Sequence, residues 1–254
     1  MARLALVLSV SLFAHFLNAQ DNLGSSNDTI QFANVHFYVN GTVAVPSREF
    51  REVINNSFGN LGYGFNIGLL MSPVGQKKAS PILLGVDFGY NHYGVDKINS
   101  TGNTPGLKTS HNIYTWNGTA RLMPKLYSET IIPFVDGMLG LKLFNSKTKI
   151  DKNLLNLALN DNQPEVINNV NDYGLNYGLG AGLLVNGSKP SYAGFSFRVL
   201  YFWGDNTTYV VRNSVKVDAN RNVTFETGAA KTTMIVFQLG FTAANVRKMV
   251  RAPY

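Results

Sequence analysis

Residues Leu175–Gly187 read LNYGLGAGLLVNG. Gly178, Gly180 and Gly182 take alternate positions, and Tyr177, Leu179, Ala181, Leu183 and Val185 take those between. Strict alternation is the period of a β-strand, whose successive side chains point to opposite faces. Glycine weakens a strand interior, because it packs nothing and loses the most backbone entropy. Three glycines on one face therefore need support from outside the strand. A closed barrel in lipid supplies it, since every backbone group is paired and the bilayer offers no alternative partner. On that reading the apolar face meets lipid. The glycine face meets a crowded lumen, leaving room for Arg121, Arg198 and their partners.

The alternation recurs in Val35–Val45, Leu61–Met71, Leu83–Tyr93, Ile113–Leu122, Phe134–Leu143, Tyr192–Trp203 and Met234–Ala243. In the second of these, Tyr63, Phe65, Ile67 and Leu69 oppose Gly62, Gly64, Asn66 and Gly68. In Tyr192–Trp203, Phe195, Phe197, Val199, Tyr201 and Trp203 oppose Gly194, Ser196 and Arg198. With the opening stretch the segments number eight, each near the ~9–11 residues that a tilted strand needs to cross a bilayer. Met138 and Leu184 break the pattern. Leu184 predicts either an inner apolar plug or a register shift at a bulge.

The connections alternate too. SPVGQKKASP (72–81), MPKLYSETIIP (123–133) and NGSKPS (186–191) are short and turn-like. Those after the third, fifth and seventh segments read as long loops of roughly 20–30 residues, above the usual loop length. Short turns on one side and long loops on the other organise an outer-membrane barrel with both chain ends in the periplasm. Within the long connections, KNLLNLAL (152–159) and PEVINNV (164–170) read as short helices. Thr207–Val217 and Asn222–Gly228 read as a hairpin continuing the last two strands above the membrane.

Composition agrees. The chain has 254 residues, of which 15% are charged, against ~25% in soluble domains. A soluble barrel would bury the large apolar face and present Gly, Asn and Thr to water, a poor aqueous surface. There is no cysteine, so an exported chain must be stable without disulfides. Met1–Gln20 has Arg3, the apolar run LALVLSVSLFAHF and the polar end LNAQ. That is the pattern of a secretory signal peptide, and the run is short for a spanning helix. Its removal takes the formal charge from +7 to +6. The predicted fold is all-β: an eight-stranded antiparallel up-and-down transmembrane β-barrel in a Gram-negative outer membrane. Residues 1–20 are the signal peptide, 21–34 a periplasmic N-terminal segment, 35–243 the barrel and 244–254 a basic periplasmic tail.

Parity sends Asp87, Arg121, Asp136, Lys142 and Arg198 into the lumen. Ionisable groups there are expected to pair with one another. Eight strands enclose an interior just wide enough for side chains to fill. The cluster is therefore expected to close the lumen as a salt-bridged plug, an ion path being the alternative. Tyr90, Tyr114, Trp116, Tyr201 and Trp203 fall outward near the long-loop ends, as an aromatic girdle. Lys77, Lys78, Lys125, Lys189, Arg247, Lys248 and Arg251 make a basic periplasmic rim, suited to anionic lipid or to a periplasmic partner.

Enzyme chemistry would need a positioned His with a nucleophile and an acid. His36 faces the lumen, while His92 and His111 flank the second long-loop region with Ser110 and Asp96 close in sequence. Such residues are common in loops, and no catalytic site is expected. No metal cluster or phosphate loop appears, and no cofactor is expected. Export excludes nucleic acid. The expected partners are outer-membrane lipid and other outer-membrane or periplasmic proteins.

The signal peptide ending NAQ, the hairpin GTVAVPSREF (41–50) with LGYGFNIGLL (61–70), and the eight-segment layout resemble the small outer-membrane β-barrel proteins of Bacteroidetes, the OmpA-like or porin-family group. The resemblance covers nearly all of the mature chain. It implies the barrel fold and leaves function open, because that group is functionally mixed. One departure is the basic tail after Phe241, where such barrels often end on an aromatic residue. No peptidoglycan-binding domain is expected to follow, so the OmpA-type anchoring role does not carry over. The function expected is structural or interactive: envelope integrity, surface recognition, or a subunit of a larger secretion or insertion machine. A narrow porin-like channel for small solutes is the alternative, and an outer-membrane lipid-modifying enzyme the third.

Overall fold

The computed structural model describes residues 29–53, 60–73, 80–98, 106–123, 130–151, 166–186, 193–211, 214–217 and 223–250. The elements run β1 (Thr29–Pro46), α1 (Arg48–Val53), β2 (Gly62–Met71), β3 (Ile82–Ile98), β4 (Gly106–Leu122), β5 (Ile131–Asp151) and β6 (Val166–Asn186). They continue with β7 (Ala193–Gly204), β8 (Asn206–Val210), β9 (Lys216–Val217), β10 (Val223–Thr224), β11 (Thr227–Lys231) and β12 (Met234–Val250). The barrel closes antiparallel in the order β1–β12–β7–β6–β5–β4–β3–β2. Closure leaves no barrel edge exposed to lipid, which is what the hydrocarbon region demands.

Alternation holds through the apolar band of the barrel strands, and the register shifts lie outside it, between Ala33 and Val35, between His92 and Val95 and between Thr148 and Lys149. Val86, Leu139, Leu179, Leu239 and Phe241 are exposed on the outside, while Asn66, Asp87, Asp136 and Arg198 are buried inside. On β5 the outward apolar run from Ile131 to Leu143 covers twelve steps. At ~3.3 Å per residue and a tilt of ~40° this is about 30 Å of height, enough to cross a hydrocarbon core. The transmembrane barrel predicted from the sequence is thus the observed fold.

Four details differ. The strands outrun the apolar band, so the connection between β3 and β4 is confined to 99–105 and is no long loop. PEVINNV is not a helix: β6 begins at Val166. Residues 29–34 and 244–250, expected outside the barrel as parts of a periplasmic N-terminal segment and a basic tail, belong to β1 and β12. They pair with each other from Ala33↔Val246 to Thr29↔Val250, past the points where β2 ends and β7 begins. Finally, α1 occupies the first connection, where no helical pattern is evident in the sequence. The hairpin on the last connection is present, as β8 with β11 and β9 with β10. KNLLNLAL lies outside the described residues.

The lumen is layered. Towards the short-turn end, Tyr38, Leu70, Leu83, Met123, Ile132, Phe134 and Leu184 form one apolar cluster. Towards the long-loop end, Phe50, Tyr93, Ile113, Met138, Phe144, Leu200, Phe202 and Met234 form another. Leu184 is therefore an inner plug residue and Met138 its counterpart at the other end, both on unbroken register. The space bared by the β6 glycines is taken chiefly by these layers. A Cβ at Gly178 would strike Phe202, one at Gly180 Leu200, and one at Gly182 Phe134.

Candidate functional site

Between the two apolar layers lies a polar band whose centre is two arginines and two aspartates. Arg121 and Asp136 are register partners on β4 and β5. The guanidinium donates from Nε to Oδ1 and from Nη2 to Oδ2, both at 2.7 Å. This bidentate fork is the strongest geometry available to the pair. Arg198 on β7 donates from Nη1 to Asp136 Oδ2 at 2.9 Å and from Nη2 to Asp87 Oδ2 at 3.1 Å. To reach Asp136 it spans β6, whose Gly180 and Gly182 are the register partners of Asp136 and Arg198. The glycine strip thus leaves this one cross-strand path clear as well.

The chain Arg121–Asp136–Arg198–Asp87 balances its charges. That is the condition for keeping ionised groups out of water. Neutral partners saturate it. Tyr38 donates to Asp87 Oδ2 at 2.7 Å, Asn66 to Asp87 Oδ1 at 2.8 Å, and Arg198 Nε to Gln238 Oε1 at 2.7 Å. Arg121 also contacts His36 Nδ1 at 3.1 Å, and His36 bonds Thr242 through Nε2. The Arg121 guanidinium sits 3.8 Å from the centroid of Phe134, a cation–π contact joining the polar band to the inner layer. Tyr38 and Asp87 share a ladder row with Gly68 between them, and the phenol crosses above that glycine.

Lys142 stands apart from this cluster, contrary to the sequence expectation. It lies inside the barrel but nearer the long-loop end, where its ammonium donates to Asp205 O at 3.0 Å and to Thr232 Oγ1. Both acceptors lie at the base of the β8–β11 arm. The arm is tied to β6 by Thr208 N, which donates to Asp172 Oδ2 at 2.6 Å. Phe50 of α1 inserts beside it, edge-on to Tyr93 at 5.2 Å and to Phe144 at 5.9 Å. Helix and arm together roof the lumen. Neither could be read from the sequence as part of the plug. Phe50, an aromatic in a polar stretch, was the one available signal.

The residues expected as a girdle form two outward groups. Tyr90, Tyr114 and Trp116 follow one another with ring centroids 5.1 and 6.3 Å apart. Tyr201 and Trp203 are 4.8 Å apart, and Tyr177 stacks on Trp203. Of the basic rim, Arg247 and Lys248 fall on β12, whereas Lys77, Lys78, Lys125, Lys189 and Arg251 lie outside the described residues.

Of the residues weighed for an enzyme, Ser110 and His111 stand on opposite faces of β4. His92 bonds Asn112 at 2.8 Å. Ser110 alternates with His111 across the β4 wall and donates to Lys147 O at 3.4 Å. His111 faces inward, stacked on Phe144 and 2.8 Å from Ser146 Oγ. That hydroxyl is fully buried. Among the described residues no group of three His, Cys, Asp or Glu could hold a metal ion.

No protein-family model matches the chain, and no curated protein matches it. Among solved structures it is similar to Neisserial surface protein A at 11% identity, over 83% of this chain and 97% of that one, with a TM-score of 0.45. A major outer membrane protein from Thermus thermophilus is 11% identical over 83% of this chain and 99% of that one, with a TM-score of 0.48. Ail, the attachment invasion locus protein of Yersinia pestis, is 12% identical over 83% and 99%, with a TM-score of 0.41. Such likenesses assign no role to any residue.

Proposed function

We propose that this chain is a non-enzymatic outer-membrane barrel that works through its surfaces rather than its lumen, with both termini in the periplasm. Its role is structural or interactive: envelope integrity, recognition outside the cell, or service as a subunit of a larger outer-membrane assembly. Outer-membrane lipid and other envelope proteins are its partners. The observation that supports this reading is the filled lumen. A charge-balanced quartet, Arg121–Asp136–Arg198–Asp87, is sandwiched between an inner apolar layer and an outer one roofed by Phe50. A narrow channel needs a wetted path, and the two apolar layers oppose one. What remains for function is the extension of β3–β6 and the β8–β11 arm beyond the girdle, since surface segments on a rigid scaffold carry most recognition.

The test is single-channel recording of the refolded barrel in a planar bilayer. The wild type is expected to be silent, and Asp136→Ala to show openings because the quartet has lost its bridging carboxylate. Steady wild-type conductance would replace this reading with the channel.

A further inference from the structure

We propose that the outward face of β6 at Asn169, Asn171 and Tyr173 binds a saccharide. The proposal rests on the recognition role given above and adds a ligand class to it.

The site begins as a row of amides. His92, Asn112, Asn145 and Asn171 are successive register partners across β3, β4, β5 and β6. They share the outer face, because the alternating residues His111, Ile113, Phe144 and Ser146 are buried inside. The amides are hydrogen-bonded in one direction. Asn112 Oδ1 accepts from the Tyr90 hydroxyl at 3.0 Å and lies 2.8 Å from His92 Nδ1. Asn112 Nδ2 donates to Asn145 Oδ1 at 3.4 Å. Asn145 Nδ2 then donates to Asn169 Oδ1 and to Asn171 Oδ1, both at 2.6 Å. The chain therefore ends on the Nδ2 groups of Asn169 and Asn171. Both residues are exposed, and neither Nδ2 has an acceptor among the described residues.

Tyr173 is the next outward residue down β6. It is 70% exposed, more than any other large apolar or aromatic side chain among the described residues. Tyr90, Tyr114, Leu143 and Tyr173 are register partners in one row, at the top of the outward apolar wall. The ring thus stands at the membrane surface, with Asn171 about 5 Å and Asn169 about 10 Å higher, at ~3.3 Å per residue and ~40° tilt. No barrel strand flanks these three residues on the side away from β5, because β7 ends at Gly204, the partner of Asn176. Water satisfies exposed amides wherever they point, so ordering them adds little stability and costs side-chain entropy. What the ladder provides is oriented donors, which reduce the entropy lost when a ligand binds. A bare aromatic ring below two oriented donors matches a sugar. The C–H face of a pyranose packs on the ring, and its hydroxyl oxygens accept from the amides. A peptide adding to the open edge of β6 would use main-chain groups and leave these side-chain donors idle.

The experiment titrates the full-length refolded barrel, in phosphatidylcholine nanodiscs, with neutral oligosaccharides of glucose, galactose, mannose and N-acetylglucosamine. Saturation-transfer NMR reads binding, and the gel mobility of unboiled samples checks the folding of each protein. A parallel arm places a neutral dihexosyl diacylglycerol in the disc and reads its retention per barrel after mild detergent extraction by mass spectrometry. The wild type should bind in at least one arm. Asn169→Ala with Asn171→Ala should weaken binding at least about tenfold, given roughly threefold to tenfold per lost hydrogen bond. Tyr173→Ala should weaken it about fivefold, and Tyr173→Phe should restore it. Phe225→Ala, which removes an exposed aromatic elsewhere on the long-loop side, should match the wild type. Lys147 is the register partner of Asn169, so binding should also persist at about 0.5 M salt, where an exposed charge is screened. Loss confined to the β6 variants supports the site, and the arm that shows it tells whether the sugar is free or lipid-borne. Binding in neither arm, binding abolished by salt, binding indifferent to the β6 variants, or equal loss in Phe225→Ala overturns the proposal. Single-channel recording tests the surface reading separately, because conductance does not depend on these three residues.

Discussion

Replacing Asp136 by alanine removes the one carboxylate that both lumen arginines share. Three charge-assisted bonds disappear: two from Arg121 at 2.7 Å and one from Arg198 at 2.9 Å. The arginines are affected unequally. Arg198 keeps Asp87 at 3.1 Å and Gln238 at 2.7 Å. Arg121 keeps only His36, which brings no negative charge, and the faces of Phe134 and Tyr38. Breaking a buried ion pair from one side costs about 3–5 kcal/mol, mainly because the remaining charge is stranded. Asp136→Ala should therefore lose about 4 kcal/mol, towards the middle of that range because Arg198 remains partly paired. With a urea slope of about 2 kcal/mol/M the midpoint should fall by about 2 M. Reversible urea unfolding of the refolded barrel in lipid vesicles, followed by tryptophan fluorescence, reads this directly. The decisive comparison is the double variant Arg121→Met with Asp136→Leu, which deletes the stranded charge along with its partner. It should be more stable than Asp136→Ala despite carrying one more substitution. If the double variant is the less stable of the two, or the single loses under about 1 kcal/mol, the quartet does not behave as a desolvated ionic plug.

Two other outcomes test the packing and the placement in the bilayer. Gly68→Val should collide with the Tyr38 phenol where it crosses to Asp87, costing about 1–3 kcal/mol of overpacking in thermal unfolding of the vesicle-bound barrel; combined with Tyr38→Ala the loss should be smaller than the sum of the two single losses, because the collision is then absent, and a wild-type melting temperature for Gly68→Val alone would refute the crossing. The chain has two tryptophans, Trp116 and Trp203, so fluorescence quenching by lipids brominated near the glycerol end of the chain should exceed quenching by lipids brominated near the terminal methyl; the reverse order would displace the girdle from the interface.

The barrel was legible because lipid enforces period two without relief. From Ile131 to Leu143 every outward position must be apolar or small, so even one strand such as LNYGLGAGLLVNG announces both faces. The same cause explains where legibility stops. Past the girdle the outer face meets water and headgroups, Lys147 and Lys149 replace Leu139 and Leu141, and the contrast between faces disappears. β3–β6 therefore read as ending near the membrane, although the ladder continues to Asp151. At the other end, 29–34 and 244–250 escape a sequence reading for the same reason. Met138 and Leu184 look like faults in the pattern only if the lumen is expected to be polar throughout. An eight-stranded interior is full, and a full interior can use leucine and methionine wherever no charge must be met.

Which lumen residues meet was a harder question, because contact inside a barrel depends on closure as well as parity. Arg121 and Asp136 are neighbours across one short connection, so a correct turn suffices to pair them. Arg198 reaches Asp136 only across β6 and Asp87 only across the whole lumen, from β7 to β3. No local pattern encodes those distances. The β6 glycines bear on them all the same. A strand that presents Gly180 and Gly182 between an aspartate on one neighbour and an arginine on the other leaves nothing in the way of the bond. The weakness that glycine brings to β6 is offset by pairing on both sides, from Asn176↔Gly204 to Asn186↔Gly194 on β7 and along β5. The bare face is thus tolerated by closure and used twice. It admits Phe202, Leu200 and Phe134 from the apolar layers, and it opens the path by which one buried carboxylate holds two arginines.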